Sequence, residues 1–183
     1  MRNVVLFMMT TLDGYYEGPN HDRDWHNVDD EFNEFAVAQL DAMGGLLFGR
    51  VTYEMMASYW PTDAAQADDP QVASRMNAMP KFVFSRTLRG ADWTNTTLRR
   101  DAEESVLQLK QEPGKDLIVM GSGTLAASLA KRGLIDEYRI MVNPVVLGGG
   151  TTFFGGIEQP QQLTLRETRT FASGNVLLTY IRS

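Results

Sequence analysis

The chain has 183 residues, no cysteine, two histidines and a formal net charge of −6 at pH 7. Disulfides, thiolate metal sites and a zinc deaminase activity are therefore excluded, and a histidine-rich metal site is hard to build. The acidic balance argues against a nucleic-acid or anionic membrane surface, and no stretch suits a signal peptide or a bilayer span. We expect a cytoplasmic protein. The length and the lack of a linker indicate one domain over residues 1–183.

The first part of the chain predicts a strand, a turn and a helix. Apolar residues 4–9 indicate a buried strand, and the turn after it, at residues 12–14, contains Asp13. From residue 27 onward, apolar side chains recur at helical spacing, and Asn27 is a candidate cap. The first turn of this helix is acidic, which the helix dipole favours. Its acids are Asp29, Asp30 and Glu31.

The middle of the chain continues this alternation of strands and helices. A short buried strand at residues 46–48 leads into a helix over residues 52–59, which ends at Trp60 and Pro61. The next predicted elements are an acidic, alanine-rich loop at 63–70, a short helix at 71–78, a strand at 81–84 and a helix at 101–111. Such alternation is typical of an α/β fold with a mostly parallel sheet.

The most informative stretch runs from residue 116 to residue 133. Residues 117–120 form a short apolar run that predicts a buried strand, and a glycine-rich turn, Gly121-Ser122-Gly123-Thr124, follows it directly. Ser122 and Thr124 are candidate caps for a helix that ends near Gly133, and a second strand is expected at residues 138–147. The free N–H groups at the start of such a helix can bind a phosphate, so a dinucleotide would fit there.

The end of the chain predicts an antiparallel hairpin. After the flexible segment 148–150, two strands are expected at residues 163–171 and 175–182. Ser173 and Gly174 between them indicate a tight turn. The complete prediction is an α/β fold with a central, mostly parallel sheet, flanking helices and a C-terminal antiparallel hairpin.

Three of the predicted strands end in residues that suit phosphate binding. They lead into Gly49-Arg50, into Ser85-Arg86 and into the turn that begins at Gly121. Ligands of open α/β sheets lie beyond the carboxyl ends of the strands, so we expect these ends to face one ligand. The arginines offer forked donors and Thr52 and Ser85 add hydroxyls. Taken singly, each residue could equally be a surface arginine, a helix cap or a turn residue.

Four segments carry a resemblance to a known family. The segment Gly49-Arg50-Val51-Thr52-Tyr53-Glu54 resembles the Gly-Arg-x-Thr-aromatic-Glu motif of the dihydrofolate reductase family, and residues 119–123 resemble its second glycine signature. Residues 11–14 and 143–150 are similar to the Ser-x-Asp-Gly turn and the Pro-x-x-Leu-Gly-x-Gly segment of the C-terminal reductase domain of bifunctional riboflavin-biosynthesis deaminase-reductases. Trp25 falls where that domain often has a tryptophan. The similarity runs from Val4 to Ile181.

The resemblance implies a dihydrofolate reductase-like three-layer fold that binds NADPH. It assigns the pyrophosphate and the phosphate on the adenosine ribose to the segment from Gly49 to Thr52, and the adenosine end to Ser85 and Arg86. The second glycine turn would meet the pyrophosphate and the nicotinamide side. The implied cofactor-binding residues are Gly49, Arg50, Val51, Thr52, Ser85, Arg86, Gly121, Ser122, Gly123, Thr124 and Leu125.

The sequence departs from the family pattern in two places. The riboflavin-pathway domain usually has a basic residue straight after its Asp-Gly, where this chain has Tyr15, so a contact to a phosphorylated ribosyl substrate is missing. Dihydrofolate reductases use one carboxylate on the first helix, whereas this chain has three acids there. We take Asp29 and Asp30 as the candidate catalytic proton donors, although acids in a first turn also stabilise a helix without any catalytic role. Asp13 and Trp25 are the candidate substrate-binding residues.

Two functional hypotheses follow. The first is an NADPH-dependent reductase that transfers hydride to a small heterocycle, either a ribosylaminopyrimidine of riboflavin biosynthesis or a pterin such as dihydrofolate. The second is a non-catalytic nucleotide-binding or dimerisation protein that keeps the fold. In either case we expect a homodimer, because Val176, Leu178 and Tyr180 alternate on one face of the hairpin and the related domain pairs in this way.

Overall fold

A computed structural model describes residues 1–155, 157 and 159–183. Strands and helices alternate for most of the chain, and the last three elements are consecutive strands. The elements in chain order are β1 (Val4–Thr11), α1 (Asp30–Ala42), β2 (Gly45–Gly49), α2 (Arg50–Tyr59), α3 (Asp63–Asp68), α4 (Pro70–Ala78), β3 (Lys81–Phe84), β4 (Thr96–Arg99), α5 (Ala102–Gln111), β5 (Leu117–Met120), α6 (Gly123–Lys131), β6 (Glu137–Asn143), β7 (Leu163–Thr170) and β8 (Val176–Arg182).

The strands that the structure describes form one eight-stranded sheet in the order β4-β3-β2-β5-β1-β6-β8-β7. The first six strands in this order are parallel to their neighbours, while β8 is antiparallel to both β6 and β7. The sheet is thus mostly parallel with a C-terminal antiparallel hairpin, as the sequence predicts. All eight residues of β1 are buried, as expected for a central strand that is covered on both faces.

Two apolar cores lie on the two faces of this sheet. One core packs α5 and α6 against one face through Val106, Leu109 and Leu129. The other packs α1, α2 and α4 against the opposite face through Leu40, Tyr53, Val72 and Met76, among others. The result is the three-layer arrangement that the resemblance implies. Among the described residues, no helix is long and apolar enough to cross a membrane.

Three elements differ from the prediction. The expected loop at residues 63–70 is wrong, since Asp63–Asp68 form α3 with Thr62 as its cap. Strand β4 was not predicted; its alternate residues are only half-buried, so it lacks the apolar run by which buried strands are recognised. The strand expected at 138–147 ends at Asn143, because Pro144 cannot donate to a sheet ladder and the chain then leaves the sheet.

The hairpin and the start of α1 show how single side chains set local structure. The turn between β7 and β8 closes through the Gly174 N–H, which donates to the Phe171 carbonyl, and Gly174 has φ 90°, as the predicted tight turn requires. Asn27 does not cap α1. The Asp29 carboxylate does so by accepting from the Phe32 N–H at 2.8 Å.

Candidate functional site

The three predicted phosphate-binding strand ends lie side by side. Strands β3, β2 and β5 are consecutive and parallel in the sheet, so their carboxyl ends reach the same edge. The Gly49 N–H at the end of β2 donates to the Ser122 hydroxyl after β5 at 2.9 Å. The structure therefore confirms that these strand ends meet at one edge of the sheet.

The two helices that begin at this edge lie next to each other. A Cβ atom at Gly49 would lie 3.6 Å from the Ser122 side chain and 3.7 Å from Leu125. Gly121 and Ser122 both have left-handed backbone angles, with φ 61° and 57°, which turn the chain sharply from β5 into α6. Thr52 from α2 lies across this turn, with its methyl 3.7 Å from where a Gly121 Cβ would be.

The N-termini of α2 and α6 differ from those of the other helices in the described part of the chain. Asp29, Thr62, Asp69 and Asp101 cap α1, α3, α4 and α5 with side-chain hydrogen bonds. Neither Gly49 nor Ser122 does this for α2 or α6, because Gly49 has no side chain and the Ser122 hydroxyl accepts from the Gly49 N–H instead. The first-turn N–H groups of two neighbouring helices thus remain available to an anionic ligand, and both helix dipoles favour one there.

The predicted cofactor residues on α2 are placed to serve this edge. Arg50 is the first residue of α2, and its guanidinium forms an exposed ion pair with Glu54 at 2.8 Å. Val51 is 60% exposed, although it is apolar, while Thr52 is buried against the glycine turn. An exposed pair of this kind contributes little to stability, so Arg50 can exchange Glu54 for a ligand phosphate.

Ser85 has a structural task in addition to its predicted one. Its hydroxyl accepts from the Thr87 and Leu88 N–H groups at 3.2 and 2.9 Å and so shapes the turn after β3. Arg100, just after the unpredicted strand β4, braces the same turn by donating to the Ser85 and Leu88 carbonyls. Arg86 is exposed on this turn. The edge therefore gains a second basic segment, Arg99 and Arg100, which the sequence did not reveal because β4 was missed.

The remaining cofactor candidates belong to α6. Gly123 is its first residue, and Thr124 is exposed beside it. The Leu125 side chain packs into the core between α6 and the sheet, so this residue faces the edge only through its backbone.

Asp13 lies on the turn after β1 and holds a neighbouring loop. Its carboxylate accepts from the Gly148 N–H at 2.7 Å and from the Leu147 N–H at 3.3 Å. A hydrogen bond from Thr11 and these two backbone bonds lower the pKa of Asp13, whose side chain is exposed. The ionised carboxylate of Asp13 thus joins two loops at the carboxyl edge of the sheet by hydrogen bonds. The contact of Asp13 with a substrate stays a prediction.

The three acids at the start of α1 have distinct environments. Asp29 is half-buried and acts as the helix cap, whereas Asp30 is exposed. Glu31 is held by the hairpin, since its carboxylate accepts from the Ala172 N–H at 2.8 Å and from Arg169 at 3.2 Å. Of the three, Asp30 is the one for which no structural hydrogen bond is described. The catalytic role of Asp29 or Asp30 stays a prediction.

A buried asparagine cluster near Trp25 was not found from the sequence. The Asn27 N–H donates to Asn143 Oδ1 at 2.9 Å, its Nδ2 donates to the Ser173 carbonyl at 2.9 Å, and its own carbonyl accepts from Asn175 Nδ2 at 2.8 Å. Asn143 and Asn175 are both fully buried. Asparagine is depleted in strands, so Asn143, inside the strand predicted at residues 138–147, was the signal that the sequence offered. The cluster fixes the segment that carries Trp25 against β6 and the hairpin turn.

Unpaired polar atoms gather at the same place. Among the described residues, five buried side-chain atoms have no hydrogen-bond partner, and four of them belong to Trp25, His26, Ser173 and Asn175. The Trp25 and His26 rings meet edge to face at 4.5 Å. Burial and the charge of Arg23 lower the pKa of His26 to about 4, so its ring is neutral at pH 7. Buried unpaired groups are costly, so this concentration suits ordered water or a polar ligand.

A groove of about 470 Å³ on the far side of α4 is unrelated to these residues. It is lined by Asn77, Trp93 and Asn95, among others, and contains none of the predicted site residues.

The mostly parallel sheet with its antiparallel C-terminal hairpin and flanking helices is the fold of the RibD reductase-like proteins. The RibD C-terminal domain family matches residues 2–177, and the chain belongs to this family. Two Bacillus subtilis (strain 168) proteins that are described as uncharacterized are similar over their whole length. YyaP is 33% identical over 98% of this chain and 94% of its own, and YwjB is 27% identical over 100% and 99%.

Solved structures agree with the family. A candidate riboflavin biosynthesis protein from Shewanella sp. PV-4 is 26% identical with a TM-score of 0.75, and 99% of each chain is covered. A Thermotoga maritima diaminohydroxyphosphoribosylaminopyrimidine deaminase/5-amino-6-(5-phosphoribosylamino)uracil reductase has a TM-score of 0.69 at 14% identity. All of this chain aligns with 57% of that longer protein. At this identity, the second similarity concerns the fold alone.

Proposed function

We propose that the protein is an oxidoreductase that binds NADPH at the carboxyl edge of the sheet and reduces a small heterocycle there. One observation carries the proposal: α2 and α6 begin side by side, both without a side-chain cap, and are joined by the bond from Gly49 to Ser122. Two adjacent sets of free N–H groups suit the two phosphates of a pyrophosphate. The match to the RibD C-terminal domain family supports a reductase.

Different residues of this edge would bind different parts of the cofactor. The backbone of Gly49 to Thr52 and of Gly121 to Thr124 would hold the pyrophosphate, and Arg50 and Arg86 would pair with the phosphate on the adenosine ribose. The two helix ends are in contact and are joined by the hydrogen bond from the Gly49 N–H to the Ser122 hydroxyl. When it is bound, NADPH supplies the hydride.

The chain must also orient the substrate and supply a proton. Trp25 and His26 lie on the loop between β1 and α1, and the other unpaired groups beside them, on Ser173 and Asn175, lie on the turn between β7 and β8. We expect a polar heterocycle to contact this group of residues. Asp29 or Asp30 at the start of α1 would hold the proton, since a protonated C=N accepts hydride more readily than a neutral one. Substrate candidates are a ribosylaminopyrimidine and a pterin such as dihydrofolate. Tyr15, in place of the family's basic residue, favours a substrate whose binding needs no phosphate contact at that position.

The first experiment is a titration of the purified protein with NADPH and with NADH, followed by cofactor fluorescence. NADPH oxidation is then measured with dihydrofolate, other dihydropterins and ribosylaminopyrimidines. The proposal requires NADPH binding and turnover of at least one substrate. NADPH binding without turnover of any of them favours the alternative, a non-catalytic nucleotide-binding protein, and absence of binding contradicts the proposed site.

The proton donor is tested by single amide substitutions at the start of α1. If Asp30 is the donor, Asp30→Asn lowers the hydride-transfer rate by a factor on the order of 100 and leaves NADPH affinity nearly unchanged. Asp29→Asn keeps an oxygen that can cap α1. This variant therefore separates the capping role of Asp29 from a catalytic role. Glu31→Gln is the matched control. Equal and small effects at all three positions would leave these acids with their helix-stabilising role only.

A further inference from the structure

Tyr16 packs directly on the first residue of α6. A Cβ atom at Gly123 would lie 2.6 Å from the Tyr16 hydroxyl oxygen and would also clash with the ring. No residue other than glycine fits at position 123 while Tyr16 stays in this place. The phenol therefore forms one wall of the space in front of the uncapped N-terminus of α6.

The neighbouring loop holds Tyr16 in this position. The Tyr16 N–H donates to the Thr151 carbonyl at 3.0 Å, and the Thr151 N–H donates to the Glu17 carbonyl at 3.0 Å. The Tyr16 ring also meets Phe153 edge to face, with 6.4 Å between the ring centroids. Backbone and ring contacts thus fix the phenol, while its hydroxyl can still rotate.

The hydroxyl remains a donor at neutral pH. Burial, followed by the charge and the hydrogen-bonding oxygens of Glu17, raises the pKa of Tyr16. Glu17 does not depend on this hydroxyl, because its carboxylate already pairs with Arg23 at 2.7 Å and with His21 at 2.9 Å. The Tyr16 hydroxyl can therefore donate to a charged acceptor at the helix end without leaving Glu17 unpaired.

We propose that Tyr16 is a cofactor-binding residue whose hydroxyl donates a hydrogen bond to the pyrophosphate of the dinucleotide at the N-terminus of α6. This inference rests on the proposed function, which supplies the cofactor. The Tyr16 hydroxyl would stand in for the side-chain cap that Ser122 does not provide. The glycine at 123 would then have two tasks, to leave room for the phenol and to offer its N–H to the same phosphate.

The test removes the hydroxyl and keeps the ring. Tyr16→Phe is expected to weaken NADPH binding about tenfold in a fluorescence titration, since hydrogen bonds to charged groups are among the stronger ones. Tyr15→Phe is the matched control, because it removes the same atom one residue earlier, where the side chain packs on Gly150. That variant should bind NADPH as the wild type does.

A fragment of the cofactor separates a direct contact from a general disturbance of the site. Adenosine 2′-monophosphate lacks the pyrophosphate, so Tyr16→Phe should bind it with unchanged affinity in calorimetry. Equal NADPH affinity of wild type and Tyr16→Phe would overturn the inference and leave the proposed function standing. Equal weakening of NADPH and of the fragment would also overturn it, because the effect would then not come from the pyrophosphate. A wild type that binds no NADPH would overturn both proposals.

Discussion

We predict that the choice between NADPH and NADH depends on Arg50. The two cofactors differ by one phosphate on the adenosine ribose, and a charge-assisted contact to a phosphate contributes about 1.5 to 3 kcal/mol. Arg50 lies at the carboxyl edge and is held there only by the exposed ion pair with Glu54. We predict that Arg50→Ala weakens the binding of NADPH roughly tenfold to hundredfold and the binding of NADH much less. The difference in affinity that remains between the two cofactors should depend less on salt than in the wild type. Fluorescence titrations at two salt concentrations measure both effects.

Arg75→Ala is the matched control for this prediction. Arg75 also pairs with a carboxylate, that of Asp41 at 2.7 Å, but it lies on α4 away from the carboxyl edge. Its removal should leave both affinities unchanged. If Arg50→Ala weakens the two cofactors alike, Arg50 contacts the pyrophosphate in general and the phosphate pocket lies elsewhere.

His26 makes the stability of the protein sensitive to acid. Its pKa is about 4 in the folded protein, against an ordinary value of 6.5, because the ring is buried near Arg23. As the pH falls from 6.5 to 4, His26 becomes protonated in the unfolded chain but stays neutral in the folded protein. The free energy of unfolding therefore decreases. The loss approaches about 3 kcal/mol when the pH has passed below the folded pKa.

Two measurements check this prediction. In an NMR titration, the ring of His26 should titrate near pH 4, far below the ordinary histidine value of 6.5. In urea unfolding, the wild type should lose more stability between pH 7 and pH 4.5 than His26→Gln, since the carboxylates that titrate there are common to both proteins. Parallel losses in the two proteins would mean that His26 titrates normally.

At the scale of single residues, the sequence predicts at which edge of the sheet a residue lies but not which residues its side chain contacts. Arg50, Thr52 and Gly121 were placed correctly at one edge because a parallel sheet brings strand ends together whatever the loops do. The bonds that join Asn27 to Asn143 and Asn175 link residues more than a hundred positions apart. No local pattern encodes such a pairing. The contact between Tyr16 and Gly123 was missed for the same reason.

Lys81 ties two elements together on the opposite side of the sheet from α5 and α6. It is fully buried in β3, and its ammonium donates to the carbonyls of Met76, Asn77 and Met79 at 2.8, 3.1 and 2.7 Å. These carbonyls lie at the C-terminal end of α4, where the helix dipole favours a cation. Burial lowers the pKa of Lys81 to about 8, so the group is mostly charged at pH 7.

We predict that Lys81→Met lowers the free energy of unfolding by about 2 to 4 kcal/mol, because it leaves buried carbonyls without a donor. Urea unfolding measures the loss. Lys115→Met is the control, since Lys115 also donates to a carbonyl near a helix end, that of Asp41, but from an exposed position. Its loss should stay below about 1 kcal/mol. Equal losses in the free energy of unfolding would show that the buried ammonium of Lys81 stabilises the protein no more than the exposed ammonium of Lys115 does.

At the scale of elements, the success of the prediction followed the strength of the apolar pattern. All of β1 and the first three residues of β5 are buried, and both strands were placed within two residues of their observed ends. Helix α3 has six residues, too few to show a helical period, and only its cap, Thr62, identifies it. Strand β4 lies at an edge of the sheet, where half of each side chain's surroundings is solvent. Short or half-exposed elements are therefore not recognised from the spacing of apolar residues, because that spacing reflects burial.

The molecule as a whole presents one sheet face that the chain covers only in part. On the hairpin side, the cross-strand pairs Val142 with Val176 and Ile140 with Leu178 are half-buried apolar residues of the same face. Leu165 on β7 is 52% exposed and lies opposite Tyr180. The other face of the hairpin is covered by α1, where Leu177 and Phe171 are buried with Phe35. A contiguous apolar surface of this kind is typical of an interface between protein subunits.

We predict that this face pairs two copies of the chain around a two-fold axis, which would make the protein a homodimer. Light scattering should give about twice the chain mass of 20.5 kDa. Leu178→Asp places a charge in the middle of the face and should shift the mass towards one chain, because a buried unpaired carboxylate is costly. Leu107→Asp, at an exposed position on α5, should leave the mass unchanged. A wild type of single-chain mass, or a dimer that Leu178→Asp does not weaken, would show that this face is not the interface.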